Sequence, residues 1–261
     1  MMKVRSQMPK LLSFVGNGNM ALAIAQGLKE NYEIEVIGRT AAHLDRFEAS
    51  LGKQIQKNTL KEFDISNKNI VFCVKPQNLE EVSAELQGEA EALYSILAGT
   101  KLENLKKSIK AKAYVRAMPN MAASVQKSMT TLTGDISLKE EALSIFSAIG
   151  KAHWLGTEKE IDVATALAGS GPAYLALVAE ALADGAVNQG LKRPDAMAIM
   201  QGLFEGFGAL IQEQHPALLK DSVMSPGGTT AAGYAALEKA GTRDAFIQAI
   251  LKANERAKAL S

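Results

Sequence analysis

One cysteine, Cys73, stands in the whole chain, which excludes an intramolecular disulfide and fits a reducing compartment. It lies in the apolar run NIVFCVKP, which reads as a buried strand, so a structural thiol is expected rather than a reactive one. An excess of one charge is also lacking: 29 Lys and Arg against 28 Asp and Glu leave a formal net charge of +1. That balance gives no electrostatic reason to expect nucleic acid or an anionic membrane as partner. No secretory leader is legible, because LLSFV, after the basic MMKVRSQMPK, is too short an apolar core and runs into glycines. The longest apolar stretch, Val163 to Val187, is interrupted by Gly171-Pro172, Glu180 and Asp184. A bilayer span of about 20 apolar residues is therefore not expected, and a cytoplasmic protein is. Histidine is scarce: His43, His153 and His215 form no recognisable dyad with a carboxylate. No zinc-ligand spacing is visible, so no metal is expected.

What is present divides into two halves with different patterns. Length alone permits two ordinary domains, each able to close its own core. In the first half, short β-rich runs (KLLSFV, EIEVIG, NIVFCV, ALYSILA, KAYVRA) alternate with amphipathic stretches such as NMALAIAQGLKE and AAHLDRFEASL. That alternation predicts a parallel sheet covered on both faces. SMTTLTG and KAHWLG flank a helical segment near Ser137 to Ala148 and are expected to extend the sheet. The second half has no convincing strand. Helices are predicted from Ser170-Pro172 to Gly190, from Pro194 to just before His215-Pro216, from about Thr229 to Ala240, and from Thr242 onward. The boundary is placed near Gly156 to Glu160, giving domains 9–157 and 158–261. The helix opening at Pro172 has small or apolar residues on nearly every face, and such a helix is a buried one. We therefore expect the second half to form a homodimer interface.

FVGNGNMA carries Gly16, Gly18 and Ala21 in the spacing G-x-G-x-x-A, between a strand and a helix. The first glycine makes the tight turn, and the second lets a pyrophosphate approach the backbone. The alanine allows close packing of helix on strand, and the helix N-terminus offers unpaired N–H groups. Gly16, Asn17, Gly18, Asn19, Met20 and Ala21 are thus expected to bind a dinucleotide. An NAD site usually places an acid about 20 residues on, at the end of the second strand. Here that place reads Gly38-Arg39-Thr40, and Glu35 lies mid-strand. Arg39 and Thr40 suit a 2′-phosphate, which predicts NADPH, with NADH as an alternative donor. Val74, Lys75 and Pro76, and Ala98 and Gly99, end two further strands and are expected at the same crevice, Lys75 beside the cofactor ribose. Asn58 is also assigned to the cofactor.

Reduction of a ketone generally needs an acid, commonly His or Lys, to protonate the forming alkoxide. The histidines do not supply one, whereas an imine, whose nitrogen can already be protonated, needs little such help. SPGGTT, Ser225 to Thr230, is the other unusual feature: hydroxyls and bare backbone set among helices, just after Lys220 and Asp221. Gly227 and Gly228 free the backbone to bend, and N–H groups at a helix start near Thr229 or Thr230 can hold a carboxylate without any Arg. The plainer reading is that Ser225 and Thr229 cap helices and Thr230 packs.

Across GNGNMA, VKPQ, VRAMPN, GSGPAYLALVAEALADGAVNQGLKR and HPALLKDSVMSPGGTTAAGYAALE, the chain resembles the pyrroline-5-carboxylate reductase family. The resemblance covers nearly the whole chain, and its last two stretches are specific, because a generic dinucleotide-binding domain shares neither. It implies a Rossmann-like NAD(P) domain and an all-helical domain that interleaves with a second subunit, at least a dimer and in some members a ring of five. The implied reaction is NAD(P)H-dependent reduction of the cyclic imine 1-pyrroline-5-carboxylate to L-proline, the last step of proline biosynthesis. It further implies that Thr230 sets its hydroxyl against the ring nitrogen as the catalytic group. Ser225, Gly227, Gly228, Thr229 and Asn120 would then bind substrate. Departures are present: the family's Thr-Pro after MPN is Met121-Ala122, its Gln-Thr is Gln201-Gly202, and its ADAGV reads Ala183 to Val187 as ADGAV. The first loosens a loop near the substrate; the others are packing changes. Two alternatives stay open. A β-hydroxyacid dehydrogenase would carry a catalytic Lys on the long helix, where PAYLALVAEALADGAV has none. A nucleotide-binding regulator would leave SPGGTT without a purpose.

Overall fold

Continuous apolar strand runs alternating with amphipathic helices in the first half require a sheet buried on both faces, and the computed structural model, which describes residues 10–260, contains one. The basic residues 1–9, where the first domain was expected to begin, and Ser261 lie outside the described residues. In chain order the elements are β1 (Leu11–Val15), α1 (Asn19–Leu28), β2 (Glu33–Gly38), α2 (Ala41–Leu51), β3 (Gln56–Thr59) and the two-residue β4 (Phe63–Asp64). Next come β5 (Asn69–Phe72), α3 (Leu79–Ser83), the two-residue β6 (Leu86–Gln87), β7 (Ala92–Ser95), α4 (Leu102–Ser108) and β8 (Tyr114–Met118). β9 (Ser128–Gly134), α5 (Lys139–Ser147) and β10 (Gly150–Trp154) complete the α/β part. The strand order is β10-β9-β8-β7-β5-β1-β2-β3, with β4 and β6 paired apart. From β3 to β8 this is the doubly wound Rossmann arrangement of parallel strands, with the strand order reversing between β1 and β5.

Period-two alternation divides the core. Leu12 and Phe14 of β1 belong to a cluster with α1, α2 and α5, whereas Val15 belongs to a second cluster with α3 and α4. Ile34 and Val36 of β2 face the first cluster and Ile37 the second. Two features depart from the sequence reading. β8 and β9 are antiparallel, because residues 119–127 are too few for a parallel crossover, which takes a dozen or more. β3, Gln56-Lys57-Asn58-Thr59, was not anticipated: it is a polar edge strand with no buried side chain, so no apolar alternation marks it.

The helices continue as α6 (Glu158–Ala164), a π-turn over Thr165–Gly169, α7 (Gly171–Asn188), α8 (Arg193–Glu213), α9 (Pro216–Ser222), α10 (Thr229–Lys239) and α11 (Thr242–Leu260). The stops fall where turn residues dictate: Gly190 has φ +103° and Gly241 φ +74°, and His215 caps α9 by accepting from the Ala217 N–H at 3.2 Å. α7 opens at Gly171-Pro172, where the sequence predicts a helix start, with the proline tolerated in its first turn. Glu158–Asn188 is one helical run of 31 residues with mean hydropathy 1.4 over its most apolar 18-residue window. By length and composition it is long and apolar enough to cross a membrane, contrary to the expectation drawn from its interruptions. By compactness the chain divides into one unit running through Gly169 and including residues from Asn254 on, and a second unit, Ser170–Ala253. In the second unit Ala183, Ala196 and Leu219 are the buried apolar side chains, while Leu175, Leu177, Leu203 and Phe207 stand exposed.

Candidate functional site

The turn after β1 requires glycine for two independent reasons. Gly16 has φ +108°, and a Cβ there would lie 2.8 Å from the Cys73 carbonyl oxygen at the end of β5. Gly18 is the N-cap of α1, in extended conformation and without a side-chain cap, and a Cβ on it would meet nothing within 4 Å. The first intrahelical bond runs from the Leu22 N–H to the Gly18 carbonyl at 3.0 Å. The N–H groups of Asn19, Met20 and Ala21 therefore point out of the helix start without an intrahelical partner. A close backbone turn, an open glycine and free donors form a cradle that fits a pyrophosphate. Ala21 is buried and Met20 packs against the same core, so their side chains serve packing.

At the carboxyl ends of β1, β2 and β5 lies a cleft of about 330 Å³. Of the residues expected to bind the cofactor, Gly16, Asn17, Gly18, Arg39, Val74 and Lys75 line it. His43, Asn78 and Val82 line it as well and were missed. His43 carries no local motif that marks it, and Asn78 and Val82 belong to a segment too short to show helical periodicity. Asn19 faces a neighbouring depression shared with Asn17, Gly18 and His43. Arg39 reaches across to Glu81 in the first turn of α3, with nitrogen and oxygen 3.1 Å apart. Thr40 is the N-cap of α2, extended, and its hydroxyl makes no capping bond.

Other expected residues are placed elsewhere. Asn58, on the edge strand, donates its side-chain amide to Glu35 at 2.8 Å and is not in the cleft lining. Glu35 itself is buried, accepting also from Ser13 and from Lys68 at 2.9 Å, so its charge is answered inside the protein. Pro76 opens a 3-10 turn beside Lys75, and Ala98 and Gly99 follow β7; none of the three lines the cleft. Burial pushes the Cys73 thiol well above its ordinary value, which makes it a poor nucleophile at neutral pH. Asn120 spans a tight junction: its oxygen accepts from the Ala122 N–H at 3.1 Å and its amide donates to the Ala168 carbonyl at 2.9 Å. It thereby caps the 3-10 turn Met121–Val125, in which Met121 stands 72% exposed.

In the second unit, Ser225 to Thr230 form a turn followed by a helix start. The Gly228 N–H donates to the Ser225 carbonyl at 3.0 Å, and Gly227 has φ +69°. Proline at the second position and a left-handed glycine at the third mark a type II turn. Gly228 is the N-cap of α10, again without a side-chain cap, and a Cβ there would approach the Ser225 Oγ to 2.4 Å. Ser225 and Thr229 therefore do not cap α10. The Thr229, Thr230 and Ala231 N–H groups precede the first helical bond, Ala232 N–H to Gly228 carbonyl at 3.2 Å, and both threonines are exposed. Lys220 packs its ammonium over the Tyr234 ring, 5.1 Å from the centroid, and pairs with Asp221.

A doubly wound sheet whose glycine turn offers an anion cradle at the carboxyl edge defines a dinucleotide-binding protein of the Rossmann type. Residues 158–260 match the family model for pyrroline-5-carboxylate reductase dimerisation, and residues 11–99 match that for NADP oxidoreductase, coenzyme F420-dependent. The chain is 38% identical to a pyrroline-5-carboxylate reductase of Synechocystis over 262 residues, which cover 95% of this chain and 97% of the relative. Its fold matches a solved pyrroline-5-carboxylate reductase from Coxiella burnetii with a TM-score of 0.85 at 32% identity, covering 97% and 99% of the two chains. A Plasmodium falciparum pyrroline carboxylate reductase solved with NADP bound matches with a TM-score of 0.79 at 26% identity, over 96% and 99%. The chain belongs to the pyrroline-5-carboxylate reductase family.

Proposed function

We propose that the protein reduces 1-pyrroline-5-carboxylate to L-proline with NADPH, and with NADH less readily. The observation that carries this reading is family membership over nearly the whole chain, with the SPGGTT turn intact at the start of α10. When bound, the cofactor would supply the hydride for the imine carbon, with the proton of the amine already on the imine nitrogen. The chain's own part is to bind and orient. Free N–H groups at α10 hold the substrate carboxylate, Gly227 and Gly228 keep that approach open, and Ser225 and Thr229 line it. The Thr230 hydroxyl orients the protonated ring nitrogen. Gly16 to Asn19 hold the pyrophosphate, and Val74 and Lys75 border the cofactor. The unpartnered Thr40 hydroxyl at the start of α2, beside the Arg39 guanidinium, suits the 2′-phosphate.

The long apolar helix is assigned to a homodimer, not to a membrane, and the protein to the cytoplasm. Exposed Leu175, Leu177, Leu203 and Phe207 give the helical unit more apolar surface than a monomer leaves in water. Gly185, Gly202, Gly206 and Gly208 sit inside α7 and α8, where a Cβ would meet nothing within 4 Å. Mid-helix glycine costs about 0.8–1 kcal/mol against alanine, and close approach of a second copy's backbone gives that cost a reason. The dimerisation match beginning at residue 158 supports a domain division at 157/158. The test is imine-dependent oxidation of NADPH by the purified protein. NADPH bound without turnover of 1-pyrroline-5-carboxylate would leave a nucleotide-binding protein and remove the enzymatic reading.

A further inference from the structure

We propose that Glu81 is a specificity-determining residue that restrains the preference for the 2′-phosphorylated cofactor by holding Arg39. The inference rests on the reading of Arg39 as the 2′-phosphate ligand and adds to it the residue that opposes that contact. Arg39 and Val82 both line the cleft, so the first turn of α3 and the end of β2 face the same opening. There the Arg39 guanidinium is 3.1 Å from the Glu81 carboxylate, the two side chains being 52% and 65% exposed.

A 2′-phosphate carries about −1.5 to −2 charge near neutral pH. To reach Arg39 it must displace or share the Glu81 carboxylate, and it then stands within a few ångströms of a like charge. A ribose hydroxyl brings no charge, so an NADH-type cofactor leaves the Arg39–Glu81 pair in place. Glu81 thus acts against one cofactor and not the other, a repulsive element that sets specificity as a difference of affinities. An exposed pair of this kind shifts an equilibrium by roughly 1.5- to 5-fold. The competing role is a clamp that pins α3 over the cleft, and it predicts the opposite sign, because loss of a clamp weakens binding of both cofactors.

The experiment titrates NADPH and NADH against the full-length protein by nicotinamide fluorescence at low ionic strength, with no imine present. Three variants are compared with the parent: Glu81→Gln, Arg39→Ala and the double variant. Glu81→Gln is expected to tighten NADPH roughly 1.5- to 5-fold and to leave NADH unchanged. Arg39→Ala is expected to weaken NADPH, and the gain from Glu81→Gln is expected to shrink in that background. NADPH affinity retained in Arg39→Ala would remove the 2′-phosphate reading and this inference with it. Weakened NADPH binding in Arg39→Ala without any gain in Glu81→Gln would overturn the role of Glu81 alone. Equal tightening of NADPH and NADH would mean general repulsion of the pyrophosphate and would also overturn it. So would a gain fully retained in the double variant, since Glu81 would then not act through Arg39.

Discussion

Thr230 separates two explanations of one turn. Its hydroxyl is exposed and Gly228, not a side chain, occupies the N-cap, so removing the hydroxyl takes no cap from α10. Thr230→Ala is therefore expected to leave the melting temperature unchanged and to lower kcat/KM for the imine at least tenfold, or about 1.4 kcal/mol. Steady-state kinetics in NADPH and imine, beside a thermal melt, check both halves. Cys73 gives a second prediction at this scale. Burial raises its thiol above the ordinary value, so the folded protein favours the neutral form. Its contribution to stability is complete below the unfolded thiol value near 8.5 and is lost as pH rises beyond it. Tyr94, raised by burial and then by the charge of Glu141, adds a further decline above about pH 10. Denaturation midpoints measured from pH 7 to 11 should show the first decline flattened in Cys73→Ala.

Elements are positioned by a few close backbone approaches, and two glycines of α1 illustrate different uses. At Gly27 a Cβ would lie 2.4 Å from the Ala148 carbonyl oxygen and 2.8 Å from Ile149, so α1 could not keep its seat beside α5 and β10. Gly27→Ala is expected to destabilise the protein by about 1–3 kcal/mol, read by chemical denaturation. Gly18 has open space around it. Gly18→Ala should cost about 0.5–1 kcal/mol in stability, the loss of a favourable N-cap, while weakening NADPH binding, because the methyl group occupies the pyrophosphate's approach. If Gly18→Ala binds NADPH like the parent, the cradle is not where the cofactor sits. Glycine spacing, being local, could be read from GNGNMA. The need for glycine at 27 could not, because Ala148 is remote in the chain and adjacent only after folding.

At the scale of the whole molecule, assembly follows from area. Leu177 on α7 is 63% exposed in the single chain, so Leu177→Glu removes little from the fold of one subunit. It is expected to yield folded protein that sediments as a monomer, with activity lost, whereas the parent sediments as a dimer or larger. Sedimentation velocity at micromolar concentration, with circular dichroism as the control for folding, measures this. A parent that is monomeric throughout would remove the dimer.

Residue order by itself determined the alternation of strands and helices, the glycine turn, the helix stops at Gly190 and Gly241, and the family. Each depends on neighbours in the chain: period, turn chemistry and spacing. It did not determine the edge strand β3, whose polar residues gain their conformation from pairing with β2, or the reversed direction of β9. It did not show that the side-chain amide of Asn58 donates to the buried Glu35. It placed Arg39 at the cleft but not Glu81 opposite it, because 42 residues separate the two and no local pattern joins them. The tertiary structure alone decided those pairings, since a charge or a Cβ is answered by what lies nearest in space, and the chain sets that distance only when the sheet has formed.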